Sequence, residues 1–201
     1  MLEINEDKLQ KIKEYAKENY VPILQDASLE LIETILELKK PQSVLEIGTA
    51  IGYSALCFSR HLAGGGKIIT VELNPQTAEI AKNNIMDLGK SDVITVENAD
   101  GEVKMQELVE QGEVFDVIFI DAAKGQYMKY LDLALKLSKA GSVIIADNVL
   151  FKGRVLGGYN EHKHRTAVTR LREYIQSVTE NPLLQTCVLD VGDGVAISVV
   201  K

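Results

Sequence analysis

Two apolar runs in this 201-residue chain stop at carboxylates. "FIDAAK" (119–124) ends its run at Asp121, and "IIADNVL" (144–150) ends at the pair Asp147-Asn148. A lone carboxylate at the end of a buried strand is costly, because the charge loses water without gaining a partner. Two of them, 26 residues apart and with an amide beside the second, can share a partner. Two carboxylates and an amide oxygen make a hard ligand set, with no His or Cys nearby in the sequence. Such a set fits Mg2+, Mn2+ or Ca2+ better than Zn2+. A hydroxyl brought to such an ion ionises near neutrality. Asp121, Asp147 and Asn148 are therefore the candidate metal ligands. The plainer alternative, that Asp147 and Asn148 only cap a turn, leaves Asp121 at a matching strand end unexplained.

The elements that must position these residues can be read from periodicity. Helical patterns cover 5–19 and 26–39, with Asp26 or Ser28 as cap of the second and Pro41 as its stop. Strands and helices then alternate. Strands are expected at 43–49, 67–73, 93–98, 115–121 and 142–147, and helices at 53–63, 75–88, 104–111, 126–138 and 163–179. Two last apolar runs, 184–191 and 195–200, are separated by "GDG", a hairpin signal. The pattern predicts an α/β, Rossmann-like, doubly wound sheet of seven strands, mostly parallel with a C-terminal antiparallel hairpin. The N-terminal helices of segment 1–40 pack on it. No internal repeat, low-complexity tract or linker interrupts the chain, so a single domain over 1–201 is expected.

Composition removes several classes. With 46% hydrophobic residues the chain is not disordered. No apolar run reaches the length of a membrane-spanning helix, and the charged N-terminal stretch lacks the apolar centre of a secretory signal, so a cytoplasmic protein is expected. Cys57 and Cys187 lie in apolar segments without metal-type spacing and read as free core thiols. A net charge of −7 argues against a dedicated nucleic-acid binder. Against that, 152–172 gathers Lys152, Arg154, Lys163, Arg165, Arg170 and Arg172 around one acid, Glu161, with His162 and His164 in addition.

Open parallel sheets bind ligands beyond the carboxyl ends of their strands. The first strand end reads "LEIGTAIGYS" (45–54), in which Gly48 and Gly52 bracket a turn that lets backbone approach a ligand. Its G-x-x-x-G spacing is not the G-x-G-x-x-G of dinucleotide enzymes, and Glu46 adds a charge that a diphosphate would repel. Both points speak against a nicotinamide dehydrogenase. Glu72 lies 24 residues after Gly48, a suitable distance to accept both hydroxyls of a ribose. Asp100, at the third strand end, is placed to accept from an adenine amino group. Acids at successive strand ends suit a ligand with ribose, adenine and a cationic centre, and S-adenosylmethionine is such a ligand.

These residues also carry a family resemblance. "VLEIGTAIGYS", "VEL", "IDAAKGQY" and "ADNVL" resemble the metal-dependent class I O-methyltransferases of the catechol and caffeoyl-CoA type, over about residues 20–201. The resemblance implies a cofactor-binding set of Glu46, Gly48, Ser54, Glu72, Asp100 and Asp121, with Gly48 and Ser54 beside the methionine part. It implies catalytic roles for Lys124 and Asp121, with Lys124 as general base. A lysine that is partly desolvated and close to a cation has the lowered pKa this role requires. The protein's remaining task is to align oxygen, methyl carbon and sulfur. The joint presence of Asp121, Lys124, Asp147 and Asn148 disfavours a non-catalytic module that merely kept the fold. The resemblance further implies a homodimer, for which the apolar face of "LELIETILEL" (29–38) is a candidate interface.

The acceptor must place a hydroxyl beside a second metal-binding oxygen. Catechols and caffeoyl esters do so, and so does 5-hydroxyuridine, whose O5 neighbours O4. Trp is absent and aromatics make up only 5% of residues, sparse material for a phenol-binding wall. "DNVLFKGRV" (147–155) leads straight into the basic stretch. "VPILQDASLELIETIL", "EIGTAIGYSA", "DNVLFKGRV" and "VGDGVAIS" together are similar to bacterial tRNA 5-hydroxyuridine methyltransferases, which act at the wobble position. The expectation is thus a Mg2+-dependent S-adenosylmethionine O-methyltransferase acting on the tRNA anticodon loop. Lys152, Arg154, Lys163, Arg165, Arg170 and Arg172 are its candidate phosphate contacts. A small phenol of the catechol or caffeoyl type is the alternative substrate.

Overall fold

The computed structural model of the chain describes residues 4–157 and 164–201. Two helices come first, α1 (Glu6–Glu18) and α2 (Asp26–Lys39). Then follow β1 (Ser43–Ile47), α3 (Tyr53–Phe58), β2 (Lys67–Glu72), α4 (Pro75–Asp87), β3 (Ile94–Asn98) and α5 (Gly101–Glu110). The chain continues through β4 (Phe115–Ile120), α6 (Tyr127–Lys136), β5 (Ser138–Ala146), α7 (Arg165–Glu180), β6 (Leu184–Leu189) and β7 (Val195–Val200). The strand order is β3-β2-β1-β4-β5-β7-β6. This is the expected α/β, Rossmann-like, mostly parallel sheet with an antiparallel C-terminal hairpin. By compactness the chain divides into two units, Met1–Lys104 and Met105–Lys201.

In the first unit β1, β2 and β3 run parallel, with Ile47 opposite Val71 and Glu72 opposite Asn98. Val44, Leu45, Glu46 and Ile47 are all buried in succession, as in a strand covered on both faces. Ile32, Leu36, Leu45, Leu56, Phe58 and Ile68 fill this core. Asn5 caps α1 by accepting from Lys8 N at 3.0 Å. The expected cap of α2 is corrected. Gln25 occupies the cap position without a side-chain bond, Asp26 pairs with Lys13 from the first turn, and Ser28 is buried inside the helix. The helix stops at Lys40, whose left-handed backbone (φ 48) turns the chain into Pro41. α3 is shorter than expected, ending in a 3-10 turn at Ser59–His61.

In the second unit β5 lies parallel to β4 and antiparallel to β7, which pairs with β6. Tyr127, Tyr174 and Phe119 are its largest fully buried side chains. β5 starts at Ser138, earlier than expected, because the glycine that reads as a break is absorbed in a bulge. Gly141 takes φ 85, and buried Ser142 accepts from Lys139 N (3.0 Å) while donating to Phe115 O (2.7 Å). α5 starts at Gly101, earlier than expected, because the Asp100 side chain caps it. The hairpin connection is residues 190–194 rather than "GDG" alone.

Cys57 and Cys187 are both free, but only Cys57 is in the core. Cys187 is exposed because β6 is the edge strand, where alternate side chains face outward. Among the described residues no helix is long and apolar enough to cross a membrane.

Candidate active site

The turn after β1 is shaped by left-handed backbone at Gly48 (φ 105), Ala50 (φ 45) and Gly52 (φ 84). Glycine fits such angles without steric cost; at Gly52 a Cβ would make only ordinary contact with Ala81 and Ile85 of α4, so it is the backbone angle that favours glycine there. Glu72, from the end of β2, fastens this turn. Its Oε2 accepts from Ala50 N and its Oε1 from Asn74 N, both at 2.9 Å. The Glu72 carbonyl accepts from Ala99 N (3.1 Å) and Asn98 Nδ2 (2.8 Å), which ties the end of β3 to the end of β2. Asp100 follows immediately. Its Oδ1 accepts from Glu102 N (2.9 Å) and Val103 N (3.2 Å), so this carboxylate serves as the cap of α5.

Glu46 lies beneath the turn. It is fully buried, and both its carboxylate oxygens accept from hydroxyls, Oε1 from Ser54 and Oε2 from Thr70. Thr70 in turn meets Thr49 Oγ1 at 2.6 Å. The family resemblance set Glu46 and Ser54 beside a ligand; the structure bonds them to each other, next to the glycine turn. Thr70 and Thr49 were missed, since a threonine in a strand carries no distinguishing pattern. A cavity of about 490 Å3 lies in the same unit, lined by residues of α1 and α4 such as Ile12, Tyr15, Ile80 and Asn84. None of the expected site residues lines it.

In the second unit the expected metal ligands converge. Asp121 follows β4 and Asp147 follows β5, and Asp147 N donates to Ile120 O at 3.0 Å. Asn148 takes a left-handed backbone (φ 62), which turns its side chain back. Its Nδ2 donates to Asp121 Oδ1 at 3.1 Å and to Asp147 Oδ2 at 3.0 Å. One donor hydrogen-bonded to two carboxylates marks a point where positive charge is stabilised. Burial pushes the Asp121 carboxyl above its ordinary range, against the opposing pull of Lys124 and of the Asn148 hydrogen bond. By exposure Asp147 is buried and Asp121 half-buried. Rotating the amide by half a turn would offer its oxygen where its nitrogen now sits. The residues therefore fit a hard divalent cation. Among the described residues no group of three His, Cys, Asp or Glu side chains forms a metal cluster; this set reaches three only with the amide.

Three further features hold this end, and of their residues sequence reasoning had singled out only Lys124. Tyr127, fully buried, donates to the Asp147 carbonyl at 2.7 Å. Val149 N donates to Gly194 O, and Leu150 N and Phe151 N to Asp193 O, so the hairpin connection grips the loop after Asn148. Lys124, half-buried in a 3-10 turn, carries Nζ 5.3 Å from the centre of the Phe151 ring. The motif "KGQY" contained Tyr127, but only burial shows its task.

The basic stretch is less uniform than its sequence implied. Arg172 donates to the carbonyls of Val155 and Gly157, Arg170 pairs with Glu173 at 2.8 Å, and Arg154 lies over Phe151 at 4.9 Å. Lys152 and Arg165 are exposed. Lys163 lies outside the described residues.

The family model for O-methyltransferase matches residues 3–201. The chain belongs to this O-methyltransferase family. It is 34% identical over 176 residues to a catechol O-methyltransferase of Niastella koreensis, covering 85% of this chain and 78% of that one. Caffeoyl-CoA O-methyltransferase 1 of Eucalyptus globulus is 29% identical, with 84% and 70% covered. Among solved structures, the O-methyltransferase from Bacillus cereus in complex with SAH superposes with a TM-score of 0.88 at 28% identity, covering 97% of this chain and 91% of that one. The resemblance to the catechol and caffeoyl-CoA O-methyltransferases is therefore borne out: the chain is an S-adenosylmethionine-dependent O-methyltransferase.

Proposed function

We propose that this methyltransferase acts on a hydroxyl with a second metal-ligating oxygen beside it, as in a catechol or a caffeoyl ester. The observation that carries this is the meeting of Asp121 and Asp147 on the Asn148 side chain. These three residues would hold Mg2+, or Mn2+ or Ca2+ in its place. When bound, that cation supplies Lewis acidity, which lowers the pKa of an acceptor hydroxyl.

The chain's own residues do the rest. Glu72 receives the ribose hydroxyls of S-adenosylmethionine, Asp100 faces the adenine side, and Gly48 lets the backbone approach the methionine part. Glu46 and Ser54 act from beneath by holding the turn in shape. Asp121 belongs to both the metal set and the cofactor set. Lys124 takes the acceptor's proton at Nζ as the oxygen attacks the methyl carbon and the carbon–sulfur bond breaks. One methyltransferase domain over residues 1–201, in a cytoplasmic homodimer, is part of this proposal.

A second reading has its own support. The exposed cations Lys152 and Arg165 follow the Asp147-Asn148 pair in sequence and suit a phosphate backbone. 5-Hydroxyuridine in an anticodon loop has the same pair of vicinal oxygens as a catechol. The test offers labelled S-adenosylmethionine and Mg2+ with either catechol or tRNA carrying 5-hydroxyuridine. Nucleoside mass spectrometry reads 5-methoxyuridine. Label in catechol, with no gain of 5-methoxyuridine, supports the small phenol. Label in tRNA that is lost with Lys152→Glu plus Arg165→Glu, while any catechol turnover persists, supports the RNA. Label in neither overturns the vicinal-oxygen reading.

A further inference from the structure

The loop after Asn148 has a forced backbone. Phe151 (φ 47), Lys152 (φ 55) and Gly153 (φ 72) follow one another in the left-handed region, which disfavours a side chain as bulky as phenylalanine. Such strain persists only where surrounding contacts over-determine it. Here they do. Phe151 N donates to Asp193 O at 3.1 Å, and Val149 N and Leu150 N each make a 2.9 Å bond to the same hairpin connection. The enforced conformation aims one ring. Lys124 Nζ lies 5.3 Å and Arg154 Cζ 4.9 Å from its centre, and the His164 ring meets it edge-on at 5.4 Å. The face of an aromatic ring attracts a cation within about 6 Å of its centroid. Lysine is otherwise a flexible chain of four methylenes, poorly suited to hold its nitrogen in one place.

We propose that Phe151 is a positioning residue, whose ring holds the Lys124 side chain so that Nζ stays on the Asp121 side of its range. It acts through Lys124, and the proposal rests on the reading of Lys124 as the group that takes the acceptor's proton. The strained loop is the reason the ring stays in place.

A double-mutant cycle tests this, with catechol, Mg2+ and S-adenosylmethionine as substrates and S-adenosylhomocysteine binding as the check that each variant is folded. Phe151→Leu lowers kcat about fivefold, with little change in acceptor KM, and Phe151→Trp restores it. On the residual rate of Lys124→Met, Phe151→Leu has no further effect. A readout independent of turnover comes from the absence of tryptophan in the chain. In Phe151→Trp the single indole is quenched by the adjacent Lys124 side chain, and its emission rises when Lys124→Met is added. A loss confined to acceptor KM, an equal loss in both Lys124 backgrounds, or emission indifferent to Lys124 would overturn the positioning role. If Lys124→Met alone leaves kcat intact, the proton-acceptor reading falls and this proposal falls with it. If Lys124→Met removes turnover but the Phe151 effects stay additive, only the positioning role falls.

Discussion

Adding a methyl group at Gly194 should loosen the metal end of the site. A Cβ built there lies 2.3 Å from Leu150 Cγ, 2.5 Å from Leu150 Cβ and 2.7 Å from Leu150 N. The Leu150 side chain could turn aside. The Leu150 nitrogen cannot move without its neighbours, because the 149–151 backbone is bonded to Asp193 and Gly194. The backbone angle adds a second cost, since Gly194 sits at φ 91. Left-handed strain for alanine is about 1–2 kcal/mol, and overpacking typically costs about 1–3 kcal/mol. Gly194→Ala should therefore lose about 2–5 kcal/mol, a large part of an ordinary domain's stability. Urea unfolding reads this as a lower midpoint at unchanged slope. Mn2+ titration calorimetry reads the local effect. Displacing the loop that begins at Asn148 should weaken Mn2+ binding about tenfold, the scale seen when ligand-supporting residues are altered. Affinity for S-adenosylhomocysteine should hold, because Glu72, Asp100 and the glycine turn belong to the first unit and the displaced backbone, 149–151, does not include Asp121. An unchanged midpoint, or lost stability with Mn2+ affinity intact, would refute the claim that the hairpin sets the metal loop.

Other expectations follow from single side chains. Glu72→Ala removes the acceptor for Ala50 N and Asn74 N, so S-adenosylhomocysteine affinity should drop at least about tenfold by calorimetry; unchanged affinity would remove Glu72 from the cofactor site. Tyr127→Phe withdraws the bond to the Asp147 carbonyl and should cost about 1–2 kcal/mol in thermal melting. Native protein should show one fast-reacting thiol toward an aromatic disulfide reagent, Cys187. Cys57 should react only after unfolding, since it is buried and its thiol is pushed up to about 12 by desolvation. Two fast thiols would contradict the burial.

The fold was legible because its signals are local. The alternation of apolar strands with helical periods located all seven strands, and Pro41 and the "GDG" run marked breaks. What sequence misplaced were positions where tertiary context overrides a turn residue. Gly141 reads as a break, yet the chain keeps pairing through it by a bulge. Gly101 reads as a loop, yet Asp100 caps it into a helix. The candidate site was legible in its acids, because a carboxylate at the end of an apolar run stands out. Its supports were not. Gly194 lies 47 residues after Asp147, and nothing in either stretch announces that one grips the loop beyond the other. The basic stretch erred the other way: sequence counts charges, whereas structure shows Arg170 and Arg172 bonded within the protein.

The central claim is that Asp121, Asp147 and Asn148 bring a divalent cation to the methyl transfer. The most direct measurement is turnover of catechol with S-adenosylmethionine after exhaustive EDTA treatment, followed by graded return of Mg2+, for the natural chain and for Asp147→Ala. Turnover should vanish on chelation, return with Mg2+ in the natural chain, and stay absent in Asp147→Ala while S-adenosylhomocysteine still binds. Methyl transfer that persists through chelation, or that survives in Asp147→Ala, would contradict it.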